Sequence, residues 1–181
     1  MGLSDDPWAT IGERGNAKEE IMDILVLYYS KGGNTRKLAQ VVAEGVESVP
    51  GVKAVLKSPA DVTKDDFVNA AGIIAGSPVY FGGMAADLKR IFDEFVGVRK
   101  KMGNKVGAAF STSGDPTGGK ETTMLSILQC LLIYGMIVVG DPLDATGHYG
   151  TACVGPPDAG AADNGRKLGR RVAELCLKLG S

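Results

Sequence analysis

Histidine and cysteine are scarce in this 181-residue chain, which has one histidine, His148, and three cysteines, Cys130, Cys153 and Cys176. Zinc sites, cysteine–histidine nucleophilic pairs and iron–sulfur motifs need these residue types grouped at short spacings, and here they lie far apart. We therefore expect no metal. Three thiols cannot pair off evenly, so the sequence predicts reduced cysteines that fill the core of a cytoplasmic protein.

The chain also lacks an excess of one charge and a long apolar run. Its formal net charge is -1, which argues against a nucleic-acid-binding protein, because such proteins need a basic face. The most apolar region, residues 125–139, is interrupted by Gln129 and Gly135 and is shorter than the roughly 20 residues that cross a bilayer. The start of the chain lacks the basic and then apolar order of a secretory signal. We expect no membrane span.

Composition divides the chain into two parts. Residues 1–20 are rich in charge, glycine and small polar residues around Trp8, so we interpret them as an N-terminal extension, disordered or partly a cloning remnant. Residues 21–181 form the predicted domain. With 44% hydrophobic residues, a chain of this length can build one core of ordinary size.

Strand and helix signals alternate along this domain. Each apolar run is followed by a segment with helical spacing, which predicts a doubly wound α/β fold with a five-stranded parallel sheet and helices on both faces. Ligands bind beyond the carboxyl ends of the strands in such sheets. The predicted strands are residues 24–29, 52–56, 71–76, 105–112 and 136–139; the predicted helices are 34–49, one starting near Thr63, 84–96, 120–134 and 164–179.

The loop after the first strand has the composition of a phosphate site. Unpaired amides at a helix start carry the positive end of the helix dipole, and glycines let the backbone approach phosphate oxygens. Hydroxyl and amide side chains add donors. The predicted cofactor-binding residues here are Ser30, Lys31, Gly32, Gly33, Asn34 and Thr35.

Two further loops follow the third and fourth strands and should gather at the same sheet edge. They can flank a flat ring, so the three loops together predict a mononucleotide site. Tyr80 and Phe81 offer aromatic surface, although ordinary packing explains Phe81 about equally well. The predicted ring-binding residues are Pro78, Val79, Tyr80, Phe81 and Gly82 in one loop, and Thr112, Ser113, Gly114, Asp115, Gly118 and Gly119 in the other.

A triphosphate-binding loop is a competing interpretation of the second of these loops. Residues 114–120 match its glycine and lysine spacing. However, Glu121 replaces the Ser or Thr whose hydroxyl binds magnesium in such loops. A carboxylate is a poor substitute, and the match falls after the fourth strand, so we favour the mononucleotide site.

The order of these motifs resembles a known family, the flavodoxin-like NAD(P)H:quinone oxidoreductases of the WrbA type. The resemblance covers nearly everything from Ile24 onward. It implies a flavodoxin-like fold with strand order 2-1-3-4-5, and FMN with its phosphate at 30–35 and its isoalloxazine between 79–81 and 112–119. It also implies NAD(P)H as co-substrate and a quinone or similar small acceptor. The motifs are residues 27–30 with Gly33, 76–82, 110–114, 118–122, Tyr134-Gly135-Met136 and Tyr149-Gly150.

Three departures from the family pattern qualify the resemblance. Residues 57–71 are shorter than the corresponding segment of the quinone reductases, where an insertion is associated with tetramer assembly. Tyr134 stands where the family often has a histidine facing the flavin, which makes it the one candidate catalytic side chain beside flavin-borne chemistry. Arg99 falls near the position of an enclosing aromatic residue. The resemblance still implies a homo-oligomer, a dimer or a tetramer, with Tyr134 or Tyr149 near the ring.

Two functions remain open at this point. The chain is either an FMN-dependent enzyme that moves electrons from NAD(P)H to a small acceptor, or a flavodoxin-type carrier between redox proteins. Carrier flavodoxins are usually strongly acidic, so the near-neutral charge favours the enzyme. Arg99, Lys100 and Lys101 are expected close to the ring, where basic residues attract a pyrophosphate-bearing donor. A solvated loop after a helix explains any one of them at least as well.

Overall fold

The computed structural model describes residues 21–180. The predicted extension, residues 1–20 with Trp8, lies outside the described residues. The described strands and helices alternate along the chain, except that two short strands follow one another before the last helix. They are β1 (Met22–Tyr28), α1 (Asn34–Glu47), β2 (Val52–Lys57), α2 (Lys64–Asn69), β3 (Gly72–Pro78), α3 (Ala86–Glu94), a 3₁₀ helix (Val96–Lys101), β4 (Val106–Ser113), α4 (Lys120–Ile133), β5 (Ile137–Val138), β6 (Thr151–Val154) and α5 (Ala159–Leu179).

The sheet is parallel, with the strand order β2-β1-β3-β4-β5, so the predicted fold and strand order are confirmed. The sequence-based prediction did not include β6. β5 pairs only with Val106 and Gly107 at the start of β4, whereas β6 pairs with the end of β4, from Phe110 to Ser113. Two short strands thus share the fifth position of the sheet, and residues 139–150 form the connection between them.

Apolar side chains cover both faces of the sheet. One cluster lies under α1 and α5 and includes Ile24, Leu38 and Val172. The other lies under α2, α3 and α4 and includes Phe67 and Ile127. The central strands are therefore buried on both sides, as continuous apolar runs predict.

The helix boundaries follow their capping signals. Thr63 accepts a hydrogen bond from the Asp66 amide, and Asp66 accepts one from the Thr63 amide in return, so α2 begins with a capping box. α5 begins five residues before the predicted start. Asp158 caps it by accepting a hydrogen bond of 2.8 Å from the Ala161 amide, a signal that was present in the sequence.

α1 and α5 pack with their backbones in contact. A Cβ at Gly45 would lie 2.1 Å from the carbonyl oxygen of Arg166, and one at Gly169 would lie 2.1 Å from that of Val42. Glycine is therefore required at both positions by packing. The contact anchors α1, whose first residues belong to the predicted phosphate loop.

The cysteines lie in or against the hydrophobic core, where cysteines that fill the core are expected. Cys153 and Cys176 are buried in the cluster under α1 and α5, and Cys130 is half-buried against the other cluster. Burial raises the pKa of the Cys153 thiol to about 11. Within residues 21–180, no helix is long and apolar enough to span a bilayer, and no group of histidine, cysteine and acidic side chains could hold a metal ion.

Candidate functional site

The loop between β1 and α1 presents unpaired donors. Ser30 Oγ accepts hydrogen bonds from the amides of Gly33 (3.1 Å) and Arg36 (3.2 Å), which curls the loop around the start of α1. Gly33 has φ +91°, a conformation that favours glycine. The amides of Gly32, Asn34 and Thr35 donate no hydrogen bond to any described residue. They offer an anion three donors at the positive end of α1.

The β1–α1 loop is fastened to the end of β4. Thr35 Oγ1 and Thr112 Oγ1 are buried and lie 2.8 Å apart, in hydrogen-bond contact. The Val79 amide donates to the Thr112 carbonyl at 2.8 Å. Thr112 thus holds the β1–α1 and β3–α3 loops at one edge of the sheet.

The β3–α3 loop contains a strained turn. The backbones of Tyr80 and Gly83 exchange two hydrogen bonds of 2.9 and 3.1 Å, which leaves Phe81 and Gly82 as the central residues. Both have positive φ, +50° at Phe81 and +79° at Gly82, as in a type I′ turn. A left-handed phenylalanine costs about 1–2 kcal/mol, yet the Phe81 ring is fully exposed. Packing among residues 21–180 therefore does not explain Phe81.

The β4–α4 loop is braced internally and against its neighbour. Asp115 Oδ1 accepts hydrogen bonds from the Thr117 amide and hydroxyl at 2.8 and 2.7 Å, and these bonds hold the pKa of the Asp115 carboxyl below its usual value. Thr122 Oγ1 donates to the Gly82 carbonyl at 2.7 Å, so α4 supports the strained turn. Lys120 Nζ donates to the Pro116 carbonyl at 2.9 Å.

The three loops enclose a cavity of about 200 Å³, which we call the loop cavity. Amides and hydroxyls lie on its β1–α1 side, and apolar and aromatic groups lie on its β3–α3 side. This donor set fits a phosphate at one end and a flat ring at the other. Its lining is Ser30, Lys31, Gly32, Asn34, Thr35, Pro78, Val79, Tyr80, Thr112, Ser113, Gly114 and Gly155.

Eleven of the twelve lining residues are in the predicted set, and Gly155 is not. Gly155 follows β6, and its amide donates to the Ser113 carbonyl at 2.8 Å. The only sequence signal for it was a glycine after a short apolar stretch. The remaining predicted residues lie beside the cavity, in the same loops, or line a different one: Gly33, Phe81, Gly82, Asp115, Gly118, Gly119 and Tyr149.

Tyr134 does not lie with the loops of its own chain, so its predicted place near the ring would require a neighbouring chain. It follows the last residue of α4, about 20 Å from the start of that helix at 1.5 Å per residue. Its hydroxyl donates to the Phe92 carbonyl at 2.7 Å inside the core, and burial raises its pKa to about 12. A buried hydroxyl with a partner is not poised for proton transfer.

The basic cluster Arg99, Lys100 and Lys101 is also at the opposite edge of the sheet. It follows α3 and precedes β4, and Arg99 and Lys100 line a cavity with Tyr134 and Gly135. The loops lie beyond the other end of β4. The expectation that these cations lie near the ring of the same chain is therefore wrong, because α3 runs back from the carboxyl edge to the amino edge.

Tyr149 lines a second cavity, of about 210 Å³, together with Asp141 and His148. Asp141 is buried, and neither of its carboxylate oxygens accepts a hydrogen bond of normal geometry. Burial raises the pKa of Asp141 to about 6, against the attraction of Arg171 and His148 and the approach of the Gly147 amide. This cavity adjoins the start of α4 and lies outside the loop cavity.

The comparisons with known proteins agree with this geometry. Residues 22–150 match the family described as NADPH-dependent FMN reductase. A flavodoxin of Aquifex aeolicus is 38% identical over 158 residues, 83% of this chain and 85% of that protein. An NAD(P)H dehydrogenase (quinone) of Archaeoglobus fulgidus is 34% identical over 187 residues, 86% of this chain and 98% of that protein.

A solved structure supports the fold alone. The flavodoxin, WrbA-like protein of Agrobacterium tumefaciens superposes with a TM-score of 0.74 at 24% identity, covering 87% of this chain and 98% of its own. The family match and the quinone dehydrogenase relative confirm the predicted resemblance to flavodoxin-like oxidoreductases.

Proposed function

We propose a function from the premise that this chain belongs to the NADPH-dependent FMN reductase family, whose match covers residues 22–150. The chain is an FMN-dependent oxidoreductase that moves electrons from NAD(P)H to a quinone or a similar small acceptor. The observation that carries this proposal is the convergence of three loops, with unpaired amides on one side and aromatic surface on the other, around the loop cavity.

Each part of the cavity has a role in this proposal. The amides of Gly32, Asn34 and Thr35 and the ammonium of Lys31 bind the FMN phosphate. Tyr80 and Val79 cover one part of the ring, and the backbone of residues 112–114 borders another. Bound FMN supplies the hydride acceptor and the electron donor for the second half-reaction. The chain's own contribution is to bind, orient and cover the ring.

The carrier function is the second candidate, and a specific observation favours it. The Aquifex relative with 38% identity is a flavodoxin. Three findings favour the enzyme over the carrier. They are the family match, the alignment that covers 98% of the quinone dehydrogenase, and the net charge of -1.

Steady-state turnover separates the two functions. The full chain is reconstituted with FMN and mixed with NADH or NADPH and a soluble benzoquinone. Rapid quinone-dependent oxidation of the nicotinamide supports the enzyme. FMN binding without turnover, together with a stable one-electron-reduced flavin on photoreduction, would instead assign the carrier function. Failure to bind FMN would refute both.

We also propose a cytoplasmic homo-oligomer, a dimer or a tetramer, with the ring near a subunit interface. Phe81 is fully exposed at the edge of the loop cavity, where a neighbouring chain could cover it. Val96 and Ile133 are exposed beside Tyr134 at the opposite edge, so a second copy could contribute apolar surface. Light scattering at micromolar concentration tests this: an active monomer near 18.8 kDa would contradict it.

A further inference from the structure

A larger cavity, of about 480 Å³, lies on the other side of the β1–α1 loop. We call it the Tyr29 cavity. Four elements form its wall: the end of β1, the start of α1, the β2–α2 loop and α3. The residues used below are Tyr29, Lys31, Arg36, Asp61, Asp87 and Arg90.

The Tyr29 cavity adjoins the loop cavity. Ser30 and Lys31 line both. Tyr29 lines the former and Tyr80 the latter, and their rings meet edge to face with centroids 6.1 Å apart. The tyrosine pair thus forms part of the boundary between the two cavities, and a ligand much longer than one ring would have to cross this boundary to occupy both.

Two cationic side chains of the Tyr29 cavity have no direct partner among the described residues. The side chains of Lys31 and Arg36 form no ion pair or hydrogen bond with any described residue. Arg90 is held by both carboxylate oxygens of Glu94 at 3.0 Å. An unpaired guanidinium in a concave site is suited to a phosphate, which it can bind through two parallel hydrogen bonds.

The acidic groups of the same wall suit a sugar or a base. Asp61 accepts a hydrogen bond of 2.6 Å from the Ser58 hydroxyl, and Asp87 lies in the first turn of α3. Carboxylates accept hydrogen bonds from ribose hydroxyls and from an exocyclic amine. Cations and carboxylates together therefore match a phosphorylated nucleoside better than an isolated inorganic anion.

We propose that the Tyr29 cavity receives the adenosine end of the nicotinamide donor, and that Arg36 selects NADPH over NADH by binding the 2′-phosphate. This inference rests on the proposed function. It assigns to Arg36 the electrostatic role that the sequence suggested for Arg99, Lys100 and Lys101, which lie at the opposite edge.

The first test compares kcat/KM for NADPH and NADH with the FMN-loaded full chain. The wild type should prefer NADPH by at least about tenfold, and Arg36→Gln should lower kcat/KM for NADPH about tenfold, mainly through KM. NADH should change less than twofold. Lys37→Gln is the matched control, because Lys37 is the next residue of α1, is exposed, and lines neither cavity; it should leave both donors unchanged.

The second test does not depend on turnover. Calorimetry on the full chain, with and without FMN, compares 2′,5′-ADP with 5′-ADP as probes. The former should bind at least about tenfold more tightly, and Arg36→Gln should abolish the difference. Equal binding of the two probes, equal loss for both donors, or weakened FMN binding in Arg36→Gln would overturn the inference. A wild type that oxidises neither donor would refute the proposed function, while the calorimetry would still decide the cavity.

Discussion

Glycines occur in two regions of this molecule for opposite reasons. Where α1 meets α5, Gly45 and Gly169 have backbone atoms 2.1 Å from the place of a Cβ. In the loops at the carboxyl edge, Gly32, Gly33 and Gly82 have no atom within 4 Å of that place. The first pair is required by packing inside the chain. The second group is surrounded by open space, which is what a bound ligand needs.

The comparison shows how the fold supports the site. The tight α1–α5 contact fixes the axis of α1, so the unpaired amides at its first turn keep their direction. The loops can then contain unfilled space around their glycines and a strained turn at Phe81, because buried strands and the Thr35–Thr112 hydrogen bond fix their positions. Rigid packing and open loops are thus complementary parts of one site.

The largest expected effect comes from Gly169→Ala. The added Cβ collides with the Val42 carbonyl, so α1 and α5 must separate, and we expect a loss of about 3 kcal/mol in the free energy of unfolding. Gly160→Ala is the control, because it is in the same helix with its nearest neighbour 3.6 Å away; it should be neutral or stabilising by up to about 1 kcal/mol. Urea unfolding measures both. Equal midpoints for Gly169→Ala and wild type would contradict the close contact.

The next effect is on cofactor binding. Gly33→Val places a branched side chain in the open space of the phosphate loop, so we expect FMN affinity to fall about thirtyfold, or about 2 kcal/mol. Gly51→Val is matched for backbone strain, because Gly51 has φ +80° and nothing within 4 Å, but it precedes β2 at the other edge of the sheet. Both variants should lose stability, and only Gly33→Val should lose affinity in a flavin fluorescence titration.

Asp141 belongs to neither region, because it lies in the segment between β5 and β6, and its carboxyl group is buried. Burial raises the pKa of the Asp141 carboxyl to about 6. Between about pH 4 and pH 6 the folded protein therefore keeps a proton on Asp141 that the unfolded chain, in which the pKa is near 3.8, has released. This contribution to stability is present below about pH 4 and is lost as the pH rises to about 6. We expect the stability of Asp141→Asn relative to wild type to increase by about 2 kcal/mol between pH 4 and pH 7. A pH-independent difference in chemical denaturation would contradict the raised pKa.

Most of the fold could be predicted from periodicity. β1 to β4 and the helices between them are continuous apolar runs or strongly periodic segments, and their bounds differ from the prediction by a few residues. β6 was not predictable in this way, because Thr151–Val154 is four residues long and is defined by pairing with the far end of β4. Pairing between distant segments has no local signature.

The candidate site was predictable as a set of loops and less so as individual side chains. The rule that loops after parallel strands share one edge placed residues 30–35, 77–82 and 112–114 together. The same rule, applied to segments that follow helices, would have placed Arg99 and Tyr134 at the amino edge. The conformation of Phe81 could not be predicted, since phenylalanine rarely adopts positive φ.

The smallest expected effect separates strain from function at Phe81. Phe81→Gly removes the cost of a left-handed phenylalanine without removing any buried contact, because the ring is fully exposed; we expect the FMN-free protein to gain about 1 kcal/mol of stability. If the ring covers the flavin, the same variant should bind FMN about fivefold more weakly.

Asn104→Gly is the matched control for Phe81→Gly. Asn104 is the other non-glycine residue with positive φ among residues 21–180, with φ +68°, and it lies at the amino edge next to β4. It should leave FMN affinity unchanged and alter stability less, because asparagine tolerates this conformation. Thermal unfolding and flavin titration of both variants measure the two effects, and a stabilised Phe81→Gly with unaltered FMN affinity would show that the strained turn does not serve the flavin.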